Sequence, residues 1–204
     1  PNMRVQVTAC EPVGGLYLKP SQVLLDALSP RDGLERLLLP VRIVDAWPML
    51  QGVLDAFDPQ VVLSMGEAGG RSEICLEGRA FNEMDLRVPD NAGLQPRGAP
   101  ILPGGPASLD SDLPLEDFAR QLRRGGHAVR VSMDAGRHLC NLTLYRLLET
   151  QRTRGTPRAT FVHLPLLPEQ VRSDEDEPCL GGIEQRSALE DLLDLLLTHE
   201  PSGS

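Results

Sequence analysis

Short apolar runs and amphipathic stretches take turns along this chain. Residues 3–9 alternate through Arg4-Val5-Gln6-Val7-Thr8, the two-residue period of a strand. Glu11-Pro12-Val13-Gly14-Gly15 follows as a turn-rich loop. Ser21 is placed to cap a short helix over 21–28, which Pro30 stops. Residues 37–44 are apolar and β-branched around Pro40 and predict a second strand. Residues 47–57 have helical spacing, with Leu50, Val53, Leu54 and Phe57 on one face. Residues 60–65 predict a buried strand that Gly66 ends, and 73–80 predict one further extended run.

Residues 89–114 are dense in Pro, Gly and Asp. A loop of that length inside a compact domain is uncommon and often functional. A helix over 115–124 closes on Gly125-Gly126. A strand over 128–132, a helix over 138–150 and a strand over 159–164 follow, the last ending at Pro165. Residues 170–185 carry the acidic run Asp174-Glu175-Asp176-Glu177 and read as a mobile, solvated loop. A Leu-rich helix over 187–199 completes a single domain over 1–200, and 201–204 are expected to fray. Strands alternating with helices predict an α/β fold: a three-layer α/β/α sandwich around a twisted, largely parallel sheet. Sites in such sheets collect at the C-terminal ends of strands. That points to 9–15, 66–71, 132–140 and 163–168.

Composition narrows the function. The 204 residues carry a formal net charge of −9, which argues against nucleic acid or an anionic membrane as partner, since both require clustered Lys and Arg. No apolar run approaches the roughly 20 residues that span a bilayer, and the N-terminus lacks the pattern of a signal peptide. Met3 has the look of a natural start, with Pro1 and Asn2 as a leader remnant. Aromatic residues are only 3%, so the core must be mainly aliphatic. The four cysteines are scattered, with no CxxC. That excludes a metal-ligand pattern and favours free thiols in a cytoplasmic protein.

Three residues carry candidate chemistry. Cys140 follows a strand and the turn Asp134-Ala135-Gly136, then enters the first turn of a helix. Amide dipoles there favour a thiolate. His163 ends the next apolar strand. If the two strands are adjacent and parallel, their ends share one edge and His163 serves Cys140 as base. Glu77, in the apolar run Ile74-Cys75-Leu76-Glu77, is a candidate to orient the imidazole. The plainer alternatives are a core cysteine, a turn histidine, and a Glu77 paired with Arg79 or Arg87. Cys75 and Cys179 fit structural roles. His127 and His199 read as surface residues at helix ends. Gly14-Gly15 and Gly69-Gly70 match no phosphate-loop pattern.

Five segments in order resemble the type I pyroglutamyl peptidases, the pyrrolidone-carboxylate peptidases. They are Val7-Thr8-Ala9-Cys10-Glu11-Pro12-Val13-Gly14-Gly15; Gly70-Arg71-Ser72 with Ile74, Glu77, Ala80 and Asn82; Arg87-Val88-Pro89-Asp90-Asn91-Ala92-Gly93; Asp134-Ala135-Gly136-Arg137-His138-Leu139-Cys140-Asn141; and Phe161-Val162-His163-Leu164-Pro165 with Pro168-Glu169-Gln170. The resemblance runs from Met3 to about Leu197. It implies a cysteine exopeptidase that removes an N-terminal pyroglutamyl residue through a thioacyl-enzyme, with no metal or organic cofactor. Carried over, Cys140 is the nucleophile, His163 the general base and acid, and Glu77 the orienting carboxylate. The Cys140 N–H and the Arg87 side chain would stabilise the oxyanion. The lactam pocket would comprise Cys10, Val13, Val41, Val88, His138 and Leu139. The partners implied are pyroglutamyl peptides and further copies of the chain, as a tetramer.

The chain departs from the family where Cys10 and Val13 stand in place of phenylalanines, His138 in place of an aromatic ring, and Lys19 in place of an asparagine. A retained chemical step with a raised KM is therefore expected. The other readings are a related hydrolase with shifted acyl or lactam specificity, and a non-catalytic small-molecule-binding module.

Overall fold

The computed structural model describes residues 3–12 and 20–199. Its elements in chain order are β1 Val5–Cys10, α1 Pro20–Ala27, β2 Leu34–Leu39, α2 Ile43–Phe57, β3 Val61–Glu67, β4 Ile74–Glu77, β5 Arg79–Phe81, β6 Ser108–Asp110, α3 Leu115–Arg124, β7 Val129–Ser132, α4 Leu139–Arg154, β8 Arg158–Leu164 and α5 Gly182–Thr198. A single 3₁₀ turn, Pro168–Gln170, follows β8. Six strands form one sheet in the order β2-β1-β3-β8-β4-β7, and β5 pairs with β6 apart from it. All pairings in the large sheet are parallel except β4 with β8.

β3 and β4 read as nearly unbroken apolar runs, and β1 buries even its alternate polar residues Gln6 and Thr8, because both faces of the sheet are covered. On one face Val5, Val7, Leu63, Met65, Leu76 and Val162 pack under α1, α3 and α5. On the other, Cys10, Val62, Ala159 and Phe161 pack under α2 and α4. The layers are therefore α/β/α, and the core is built largely of aliphatic side chains.

Several expected boundaries move. The second strand is 34–39 rather than 37–44, and Ile43 already begins α2. The α1 helix starts at Pro20, so Ser21 is a buried residue inside it and not its cap. β3 runs through Gly66 to Glu67. The run 73–80 is two strands in two sheets, divided at Gly78, whose N–H donates to the Ser132 carbonyl (2.7 Å). The 89–114 stretch carries β6, and α5 begins at Gly182 rather than at 187. α3 stands where the sequence puts it. The positive φ that closes it belongs to Gly126 (90°).

One correction bears on the site. β7 and β8 are not neighbours, because β4 lies between them and runs antiparallel to β8. Cys140 and His163 therefore do not meet as two ends on one parallel edge. The chain leaving β7 instead returns over the face of the sheet, and α4 lays its first turn there.

Candidate active site

β8 sets His163 and Phe161 on one face of the sheet, two residues apart. The antiparallel register pairs Cys75 with His163 and Glu77 with Phe161. Directly opposed residues share a face, so Cys75, Glu77, Phe161 and His163 all project to the same side. The His163 and Phe161 rings lie 5.0 Å apart. Glu77 is completely buried, and its Oε1 accepts from His163 Nδ1 at 2.7 Å. A carboxylate accepts only, so Nδ1 carries the proton and Nε2 is the nitrogen left with a lone pair for base chemistry.

The same Oε1 accepts from Arg71 Nη1, also at 2.7 Å. Glu77 is thus paired with Arg71 and His163 and not with Arg79, which forks onto Asp110, nor with Arg87. Burial pushes the Glu77 carboxyl up. Hydrogen bonding and charge from His163, with help from Arg71, outweigh it and hold the group below its ordinary range. The Ser132 hydroxyl is near Glu77, but its own hydrogen bond goes to the Asp134 carbonyl (3.3 Å) and Glu77 Oε2 accepts none.

The nucleophile segment is held from several sides. Asp134 Oδ1 accepts from the Gly136 N–H (2.9 Å), and Gly136 takes φ 79° to make the turn. Arg137 bonds Asp134 and Glu83 and lies 3.9 Å over the Phe81 ring. His138 is the N-cap of α4, so Cys140 is the second helical residue. Next to it, fully buried Asn141 bonds β5 on both sides: Oδ1 accepts from Phe81 N–H, and Nδ2 donates to the Phe81 and Glu83 carbonyls. These bonds fix the first turn of α4 against the small β5–β6 pair and the residues that follow β5. Cys140 is half-buried, and its sulfur lies over Gly66, whose strand neighbour in register is His163. Thiol, imidazole and carboxylate therefore converge on one face, with the amides of a helix N-terminus behind the sulfur.

Arg87 is exposed and pairs with no acid among the described residues. Its loop is anchored by Asp90, which accepts from the N–H groups of Ala92, Leu94 and Ile43 (2.8, 2.9 and 2.8 Å). Burial pushes the Asp90 carboxyl up, and these three backbone donors bring it below its usual range. Asn91 adds bonds to the Val41 and Pro12 carbonyls. Of the expected pocket residues, Cys10, Val41 and Leu139 join one buried cluster. His138 is half-buried and Val88 is exposed. Val13 lies outside the described residues.

Sequence reasoning assigned no role to Arg71 or Asn141, although both lie within the motifs. The acidic run 174–177 is exposed, as expected, and its last residue, Glu177, accepts from the Gly70 N–H (2.7 Å). His127 is mostly covered and pairs with Asp191 at 2.6 Å. Among the described residues no group of three His, Cys, Asp or Glu side chains is arranged to hold a metal ion, and no helix is long and apolar enough to cross a membrane.

An α/β sandwich with a helix-borne thiol, a histidine and a carboxylate on one sheet face defines a cysteine hydrolase working by acyl transfer. The chain belongs to the pyroglutamyl peptidase family, cysteine peptidases that remove an N-terminal pyroglutamyl residue; the family model matches residues 3–189. A pyrrolidone-carboxylate peptidase of Escherichia fergusonii is 35% identical over 91% of this chain and 89% of its own length. One of Chromobacterium violaceum is 40% identical over 82% and 80%. The solved pyrrolidone carboxyl peptidase of Thermococcus litoralis superposes with a TM-score of 0.90 at 28% identity, covering 96% of this chain and 93% of that one.

Proposed function

We propose that Cys140, His163 and Glu77 carry out the family's reaction in this chain. His163 Nε2 takes the Cys140 proton as sulfur attacks the carbonyl carbon of the pyroglutamyl residue. The carbonyl electrons move onto oxygen, held by the Cys140 N–H and the Arg87 guanidinium. The oxyanion collapses, the peptide C–N bond breaks, and His163 returns its proton to the leaving amine. Water, deprotonated by His163, then attacks the thioacyl carbon. Pyroglutamate leaves and the thiol is restored. Glu77 holds the imidazole in one tautomer and stabilises its cation.

The observation that carries this reading is the buried Glu77–His163 hydrogen bond (2.7 Å) on the face over which Cys140 is seated. The lactam is assigned to a pocket of Cys10, Val13, Val41, Val88, His138 and Leu139. The substrates are pyroglutamyl peptides, acted on by one domain over 1–200, in a homotetramer, in the cytoplasm.

A pyroglutamyl dipeptide series, with Cys140→Ala as control, tests the reading. Release of pyroglutamate that disappears in Cys140→Ala is the expected result. Turnover unchanged in that variant would remove Cys140 from the mechanism.

A further inference from the structure

The Glu77–His163 pair has a third member. Arg71 stands in the loop between β3 and β4, and its guanidinium reaches the same carboxylate oxygen that His163 uses. Arg71 is largely covered, with its side chain 21% exposed. Its backbone is not left to find this position unaided. The preceding residue, Gly70, takes φ 76° and donates its N–H to Glu177. A second tie nearby joins Gln170 Nε2 to Glu67 Oε2 at the end of β3 (3.0 Å). The segment after β8 therefore holds the Arg71 loop at its start and again at Gly70, beside Arg71.

We infer that Arg71 is a positioning residue for the peptidase reaction, fixing the Glu77 carboxylate and setting the basicity of His163. The inference rests on the catalytic assignment above. A carboxylate with one partner would be free to rotate about its last bond. With Nη1 and Nδ1 both on Oε1, its orientation is fixed, and so is the imidazole it holds. The charge matters as much as the bond. A lone buried Glu77 would bind the imidazolium so strongly that His163 would be a poor donor of its proton to the leaving amine. Arg71 offsets part of that negative charge, so the imidazolium is stabilised without becoming permanent.

Other titratable or charged groups border the cluster. Cys75 stands two residues before Glu77 on the same face of β4. Glu73 and Arg130, from the start of β4 and from β7, are paired at 3.8 Å. The start of α4 brings Cys140, with His138 two residues before it. Among the described residues, Arg71 alone supplies a permanent cation to Glu77 itself.

Removing a cation makes every nearby group hold its proton more tightly, whether the acidic limb belongs to the thiol, the imidazole or the coupled pair. The test is the pH dependence of Cys140 alkylation by iodoacetamide, read by mass spectrometry on its own peptide, beside the pH profile of kcat/KM. Alkylation needs no substrate, so it stands even if the chain fails to cleave pyroglutamyl amides. In Arg71→Gln both acidic limbs are expected to move to higher pH by about one unit. Arg71→Lys keeps the charge but loses the planar fork. Its limbs are expected to stay in place while kcat falls about tenfold at unchanged KM. A folded Arg71→Gln protein with limbs coincident with the wild type would overturn the inference. Should Arg71→Gln fail to fold, wild-type kcat in Arg71→Lys would overturn it instead.

Discussion

Cys140 Sγ occupies the space that a side chain at Gly66 would need: a Cβ on Gly66 would lie 2.9 Å from the sulfur and 3.0 Å from Phe161 Cζ. Carbon and sulfur do not approach that closely, so one of them must move. Gly66 is an interior strand residue paired with His163, and glycine in such a place often marks close approach by another group. The seat of the nucleophile is thus formed by an absent side chain.

Gly66→Ala should therefore displace the thiol more than it unfolds the protein. A shift near 1 Å in a reacting group costs on the order of 10²-fold in rate. The expected result is a drop in kcat of about 10- to 100-fold, with a folded protein by circular dichroism. Wild-type kcat in this variant would show that the sulfur has another place to react from.

The strands that position the site were legible where burial is two-sided. β3 and β8 are compact apolar runs, β1 alternates with a strand's two-residue period, and α3 is strongly amphipathic with Gly125-Gly126 behind it. The second strand was misread because Val41, Ile43 and Val44 continue the apolar run of Leu37–Leu39 past Pro40. What starts a helix at Ile43 is the Asp90 carboxylate accepting its N–H from a loop far along the chain, and no local pattern encodes that. The reversal of β4 is equally non-local. Glu77 was nonetheless identifiable, because a charged residue in an apolar strand needs a partner, whereas the parallel edge expected to bring His163 to Cys140 does not exist and the two meet over the sheet face instead. Arg71 was not, because its reach to Glu77 depends on a loop held by Glu177.

Glu77→Gln separates orientation from charge. An amide at 77 can still accept from Nδ1, but it cannot stabilise the imidazolium, and Arg71 loses its counter-ion. The expected loss in kcat is roughly 10²- to 10⁴-fold at little-changed KM. Stability at neutral pH should fall by about 2–3 kcal/mol. The folded carboxyl titrates below its ordinary value of 4.5. Its contribution is therefore complete above that pH and is lost as pH falls through the lower folded value. Urea unfolding across acidic pH should show a steeper decline for the wild type than for Glu77→Gln. Parallel declines would contradict the assigned charge state.

Asp90 accepts from Ala92 and Leu94 in its own loop and from Ile43 at the start of α2, so one carboxylate shapes the loop after Arg87 and ties it to the helix. Asp90→Ala leaves those N–H groups without their acceptor, and loss of one capping side chain costs about 1 kcal/mol. With three bonds involved, a stability loss of about 2 kcal/mol by urea unfolding is expected. KM for a pyroglutamyl amide should rise as the loop that carries Arg87 and Val88 loosens. An unchanged KM would separate this loop from substrate binding.

The account turns on a thioacyl bond between Cys140 and the pyroglutamyl group. Rapid quenching of the enzyme with a pyroglutamyl thioester or activated amide in acid, followed by mass spectrometry of the digest, measures that bond directly. The predicted result is the pyroglutamyl mass on the Cys140 peptide early in turnover. It should be absent from the Cys10, Cys75 and Cys179 peptides and lost when hydroxylamine is added. Turnover at full rate with no adduct on Cys140, or with the adduct on another residue, would contradict it.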